Sequence, residues 1–144
     1  MISNDKVNEL YEIYVFIHEL SKKKWSKKDF KSIVSKKDTI FLLSKPNPVG
    51  YLLARFIEDE IEVISLLIHK KQRRKGYARL LLKELYAIAN KRKTSKIVLE
   101  VSEENQVAKK LYEGFKFKKV GVRKKYYKQG NNKVDAVIMA LTII

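Results

Sequence analysis

Residues 64–79 read Ile64-Ser65-Leu66-Leu67-Ile68-His69-Lys70-Lys71-Gln72-Arg73-Arg74-Lys75-Gly76-Tyr77-Ala78-Arg79. The order is a buried strand, a basic loop, a glycine and a helix start, and the chemistry it suits is anion binding. The first backbone N–H groups of a helix have no partner inside the helix and point at whatever lies beyond it. Gly76 allows the backbone to turn at positive φ and lets a phosphate approach closely. Small Ala78 keeps the helix near the strand, and Arg73, Arg74, Lys75 and Arg79 raise the local positive potential. The stretch is not a dinucleotide-binding fingerprint, which needs three glycines, nor the phosphate loop of NTPases, which ends in Gly-Lys-Ser/Thr. On Gly76 alone, the plainer reading of a helix entered through a basic loop is the better one.

Other chemistries are closed by composition. The chain has no cysteine, so thiol nucleophiles, disulfides and Cys-ligated metals are excluded. Two histidines, His18 and His69, make a poor metal site, and none is expected. The 144 residues, 45% hydrophobic and 33% charged, are enough for one domain with a real core over 1–144. No apolar run reaches the ~18 residues of a membrane span. Met1 to Asp5 lacks a basic segment followed by an apolar one, so no signal peptide is expected and the cytoplasm is the default. The 32 Lys and Arg against 16 Asp and Glu leave a net charge of +16. That charge favours an anionic partner, although a lysine-heavy base composition explains many of the lysines equally well.

The elements that must position the loop follow from periodicity. Asp5 to Leu20 has helical spacing at Val7, Leu10, Tyr11, Tyr14, Phe16 and Ile17, with Asn4 or Asp5 as cap. Ser26 opens a second helix that buries Phe30, Ile33 and Val34. Thr39–Ser44, Val49–Ile57 and Ile61–Ile68 read as strands, the last almost wholly apolar and hence central. Tyr77–Asn90 is an amphipathic helix with Ala78, Leu81, Leu82, Leu85, Ile88 and Ala89 on one face. A strand at Lys96–Val101 and a helix at Glu104–Glu113, with Val107, Ala108, Leu111 and Tyr112 inward, come next. Lys116–Val122 and Val134–Leu141 close the chain as two strands around Gln129-Gly130-Asn131-Asn132. A helix of that length between two strands predicts a parallel crossover inside a mixed, mostly antiparallel sheet, an α/β domain with α+β character.

The ordered set Arg73-x-x-Gly76-x-Ala78, Leu99-Glu100-Val101-x-x-x-Asn105 and Leu111-Tyr112 resembles the GCN5-related N-acetyltransferase superfamily. Trp25-Ser26-x-x-x-Phe30, Arg123-x-x-Tyr126-Tyr127 and Asp135-Ala136-x-x-Met139-Ala140-Leu141 bring it nearer to the ribosomal-protein-alanine acetyltransferase branch. The similarity covers nearly the whole chain. It implies acetyl-CoA as cosubstrate, with contacts from Leu66, Leu67, Ile68, Arg73, Arg74, Lys75, Gly76, Tyr77, Ala78 and Arg79 and a side-chain contact from Asn105. It implies Glu100 as general base and Tyr112 as general acid, and it places Trp25, Tyr126 and Tyr127 against the peptide substrate. The reaction agrees with these roles. Acetyl transfer to an amine needs a neutral amine and a protonated thiolate. A free glutamate titrates near ~4.3, so burial would help it take a proton, and a tyrosine at ~10 can protonate a thiol at ~8.5.

Plainer readings stand beside these. Strand alternation could point Glu100 to solvent, Tyr112 could be a core tyrosine, and Asn105 could be only a helix cap. Trp25 could be core, Tyr126 and Tyr127 ordinary strand residues, and His69 a solvated loop histidine. The family's Gly-Phe pair after the tyrosine falls on Lys116 and Phe117, whereas this chain has Gly114-Phe115, which predicts a helix ending sooner, capped by Gly114. The function expected is acetylation of a protein N-terminus, with the N-terminal alanine of a small-subunit ribosomal protein as the acceptor that the branch implies. The enzyme is expected to act as a monomer without membrane or direct nucleic-acid binding. The alternatives are acetylation of lysine or a small amine, and a non-catalytic basic module for nucleic acid or the ribosome.

Overall fold

The computed structural model describes residues 2–19, 24–129 and 132–143. The basic connection through residues 20–23 and the turn at Gly130-Asn131 lie outside these, as do the side chains of Tyr127, Lys128, Gln129 and Asn132. The elements are α1 (Asn4–Ile17), α2 (Lys27–Val34), β1 (Thr39–Leu43), β2 (Gly50–Ile57) and β3 (Glu60–Ile68), followed by a 3-10 turn at Lys70–Gln72. Then come α3 (Tyr77–Lys91), β4 (Lys96–Ser102), α4 (Gln106–Gly114), β5 (Lys118–Gln129) and β6 (Asn132–Thr142). The expected order of elements stands. Among the described residues, no strand precedes α1.

The strands form one six-stranded sheet in the order β1-β2-β3-β4-β6-β5. The nearly all-apolar β3 is interior to it, as its composition requires. The crossover through α3 makes β3 and β4 parallel, with Glu60, Ile61 and Glu62 opposite Lys96, Ile97 and Val98. The pairs β1–β2, β4–β6 and β5–β6 are antiparallel. The sheet is therefore mixed and mostly antiparallel, an open α/β fold.

Two compact units divide the chain. The first comprises Met1–Phe56 and Ile64–Leu85. Its α1 is capped by Ser3 rather than Asn4 or Asp5, with the Ser3 hydroxyl accepting from the Lys6 N–H. Val7, Leu10, Tyr14 and Ile17 recur at helical spacing and are buried with Phe30, Tyr51 and Leu53. Phe16, counted in the same helical spacing, falls off that stripe and is 43% exposed. Ser26 caps α2 by accepting from the Asp29 N–H.

The second unit comprises Ile57–Val63 and Tyr86–Ile144. On β4 the alternate residues Ile97, Leu99 and Val101 are buried opposite Leu141, Met139 and Val137 of β6. The other face carries Val98, Glu100 and Ser102. Val107 of α4 is 71% exposed and does not face inward as its apolar character predicts; the buried side of that helix is carried by Tyr112.

The end of α4 also departs from expectation. Gly114 is its last residue, and the cap is Phe115. The Phe117 N–H donates to the Tyr112 carbonyl and the Lys116 N–H to the Glu113 carbonyl, the pattern of a Schellman cap. Lys116, not Gly114, takes the left-handed position, at φ 80°. The extra residues bring Phe117, buried, onto the Tyr112 ring at 5.6 Å between centroids.

Candidate active site

In the first unit, β3 runs into the basic loop as its pattern predicts. Leu66 and Leu67 are half-buried and Ile68 is buried. Arg73 folds back so that its Nε donates to the Ile68 carbonyl at 3.0 Å, closing the loop on the strand that precedes it. Arg74 takes a left-handed conformation at φ 64°, and Gly76 follows at φ 87°. A Cβ placed on Gly76 would meet nothing within 4 Å, so the backbone is open to an approaching group there. Arg74, Lys75 and Arg79 are exposed around it, while Tyr77 and Ala78 are half-buried at the start of α3. A helix N-terminus, an open glycine and cationic side chains together suit a phosphate group.

His69 is not the solvated residue expected of a loop. It is 3% exposed, stacked on Phe16 at 4.6 Å between rings, and its Nε2 lies 3.4 Å from a Glu19 carboxylate oxygen. Its Nδ1 accepts from the Lys71 N–H, which begins the 3-10 turn.

The same unit contains a pocket of about 540 Å³ lined by Tyr14, His18, Lys24, Trp25, Tyr51 and the Ile64-Ser65 pair of β3. Trp25 is half-buried, stacks on Tyr14 with centroids 5.6 Å apart, and donates its backbone N–H to the Tyr14 hydroxyl at 2.7 Å. Tyr51 Oη lies 2.8 Å from both Ser65 Oγ and His18 Nε2. Burial pushes the Tyr14 and Tyr51 phenols up from their ordinary range, so both stay protonated near neutrality. Sequence reasoning picked out Trp25 here but missed His18, Tyr51 and Ser65. Tyr51 in a strand and His18 at a helix end look like core and surface residues until the fold brings them together.

In the second unit, Glu100 lies on the half-buried face of β4 with its side chain 28% exposed. The Arg123 guanidinium of β5 reaches across β6 and donates to it at 3.1 Å. Arg123 is opposite Ala136, Ala136 is opposite Ser102, and Ile138 is opposite Glu100, so all five lie on one face. Fully buried Ala136 is small enough for the arginine to cross. The Arg123 guanidinium carbon also sits 4.6 Å from the centre of the Tyr126 ring.

Tyr126, 51% exposed, belongs to a bulge. Between Arg123 and Tyr127, β5 spends three residues where β6 spends only Asp135. The Asp135 carboxylate accepts from the Lys125 N–H at 2.8 Å, and Lys125 is left-handed at φ 53°. Tyr127 pairs with Val134 through the backbone. Tyr112 is buried at the end of α4. Asn105 caps α4, its Oδ1 accepting from the Ala108 N–H at 3.1 Å, so its plainer role is present.

The loop residues thus belong to the first unit, and Glu100, Asn105, Tyr112 and Tyr126 to the second. Among the described residues, no group of three or more His, Asp or Glu could hold a metal, and no helix is long and apolar enough to cross a membrane.

Comparison with known proteins extends these observations. The family model of the acetyltransferase (GNAT) family matches residues 6–117. The [Ribosomal protein bS18]-alanine N-acetyltransferase of Escherichia coli K12 is 30% identical over 120 residues, covering 83% of this chain and 81% of its own length. An N-alpha-acetyltransferase of Saccharolobus solfataricus is 40% identical over 79 residues, covering 54% of this chain and 46% of its own. The crystal structure of the ribosomal-protein-S18-alanine N-acetyltransferase from Escherichia coli superposes with a TM-score of 0.81 at 26% identity, covering 99% of this chain and 90% of that one.

Proposed function

The chain belongs to the acetyltransferase (GNAT) family, and from that premise we propose that it acetylates the α-amino group of a protein N-terminus. The proposed acceptor is the N-terminal alanine of a small-subunit ribosomal protein, met in the cytoplasm by a single domain acting as a monomer. The observation that carries the reading is the pocket beside β3. Among the described residues its lining includes no carboxylate, and the permanently charged side chain there is Lys24. A polyamine acceptor would bring extra positive charge to such walls, whereas a free N-terminus brings a single amine. The names of the bacterial and archaeal relatives support the same choice.

When bound, acetyl-CoA supplies the activated acetyl group and a thiol leaving group. The Arg74–Arg79 backbone, Gly76 and the surrounding cations hold its pyrophosphate, with Leu66–Ile68 along its arm and Asn105 at a further contact. Glu100 takes a proton from the acceptor nitrogen, and Tyr112 gives one to the departing sulfur. Trp25, Tyr126 and Tyr127 hold the peptide. An α-amine titrates near ~8 against ~10.4 for lysine, so a modest base is enough.

The test is thiol release from acetyl-CoA with an Ala-starting peptide, alongside the same peptide with its α-amine blocked. Release with the free peptide alone is expected. Equal release with both, carried by an internal lysine, would overturn the N-terminal reading.

A further inference from the structure

We propose that Ser65, Tyr51 and His18 form a proton relay that carries the first proton away from the acceptor's ammonium group; this inference rests on the amine-acetylation reading above. Three polar side chains from β3, β2 and the end of α1 meet in series. Ser65 Oγ lies 2.8 Å from Tyr51 Oη, and Tyr51 Oη lies 2.8 Å from His18 Nε2. They cross an otherwise aromatic cluster, with the Tyr14 ring 4.4 Å from His18 and 5.5 Å from Tyr51. Phenylalanine at position 51 would fill that core as well, and a polar chain buried there is costly unless each link is satisfied. All three members also line the pocket. Ser65 stands directly before Leu66–Ile68, the strand segment assigned to the cofactor's arm.

The reaction needs such an exit. An ammonium and a thioester give an amide, a thiol and one free proton. The nitrogen therefore loses two protons, and the sulfur takes one. Glu100 and Tyr112 account for the exchange of one proton between nitrogen and sulfur, leaving the first proton of the ammonium without an acceptor. In the relay, the ammonium N–H passes its proton to Ser65 Oγ as the Ser65 hydroxyl proton moves to Tyr51 Oη and the Tyr51 proton moves to His18 Nε2. Ser65 and Tyr51 end unchanged. His18, read in the tautomer that leaves Nε2 to accept, becomes the imidazolium and later releases its proton to solvent; imidazole is the side chain suited to that exchange near neutrality. The raised Tyr51 phenol stays protonated and acts as a conduit, not an anion. Among the described residues, Tyr14 of its own helix and Tyr51 of β2 contact His18, and Lys24 ahead of α2 and Ser65 of β3 line the same pocket. Lys24 disfavours both the ammonium and the imidazolium, so it promotes proton loss from the acceptor and the onward release of the proton from His18 to solvent.

The test is the pH dependence of kcat/KM for thiol release with a free N-terminal peptide, for wild type, Tyr51→Phe, His18→Asn, Ser65→Ala and Glu100→Gln. At pH 7 each relay variant is expected to lose roughly 10- to 100-fold. Above the α-amine's own titration near ~8, the acceptor arrives neutral, so the relay deficit should close to within about threefold by pH 9.5. The Glu100→Gln deficit should persist at both pH values, because that residue acts on the second proton. Thermal melting and acetyl-CoA binding are measured on each variant, and one that fails to fold is judged by the other two. Relay variants with no deficit, or with one that is the same at pH 7 and 9.5, would overturn the relay alone. A wild-type chain that releases no thiol with any N-terminal peptide would overturn the acetylation reading and the relay together.

Discussion

Arg123 donates to the Glu100 carboxylate at 3.1 Å while its guanidinium carbon lies 4.6 Å from the centre of the Tyr126 ring. One side chain thus ties the proposed base to the proposed peptide-holding tyrosine. The pair is half-exposed, so it contributes at most about 1 kcal/mol to stability. Its effect belongs to orientation. Arg123→Gln should leave the melting temperature nearly unchanged yet lower kcat by roughly 3- to 10-fold, the loss expected when a catalytic group is less well positioned. Arg123→Lys keeps the charge but loses the planar fork and should recover only part of the rate. Steady-state kinetics on both variants checks this, and an Arg123→Gln variant with wild-type kcat would remove the positioning role.

Glu100→Gln and Tyr112→Phe keep shape and remove the proposed proton acceptor and proton donor in turn. Each should reduce kcat by about 100-fold or more with acetyl-CoA affinity retained, because general acid–base catalysis contributes on that scale. Calorimetric cofactor binding beside kinetics separates lost chemistry from lost folding. A Tyr112→Phe variant at full rate would assign the thiol's proton to another donor.

Lys116 bears a side chain in a left-handed conformation that glycine adopts without cost. Lys116→Gly should stabilise the protein by about 1 kcal/mol, since a left-handed residue with a Cβ costs roughly 1–2 kcal/mol. For a chain of this size that raises the melting temperature by about 2–4 °C. A lower melting temperature would mean that the lysine side chain makes contacts worth more than the strain.

Gly76 presents the opposite case. Nothing lies within 4 Å of an added Cβ, yet φ is 87°. Gly76→Ala should therefore cost about 1–2 kcal/mol through the backbone alone. It should also weaken acetyl-CoA binding more than peptide binding, because the methyl group stands where the loop is open. Equal losses in both affinities would argue against a phosphate cradle.

Much of this arrangement was legible in the chain because its signals are local. The apolar run of β3, the helical stripe of α3 and the alternation of β4 place the loop and Glu100 without outside help. What was not legible depends on distant partners. His69 reads as a loop residue until Phe16 and Glu19, some fifty positions earlier, close over it. Gly114 reads as a helix end because glycine is the usual left-handed residue, but burying Phe117 against Tyr112 moves that position to Lys116. The apolar type of Val107 suggested an inward residue, while the helix buries Tyr112 instead. The bulge before Tyr127 has no signature of its own, since the group that organises it, Asp135, stands ten residues from Lys125.

That last feature bears on how such an enzyme can change. The three residues gathered into the bulge hang from one carboxylate and one left-handed turn, while the ladder resumes on either side of them. Their side chains can be exchanged without disturbing strand register, provided Asp135 and the turn at Lys125 survive. The sheet is thereby insulated from variation at Lys124 and Tyr126. Substitutions there can accumulate singly at little cost to folding, so the proposed peptide-holding surface can change faster than the sheet that carries it.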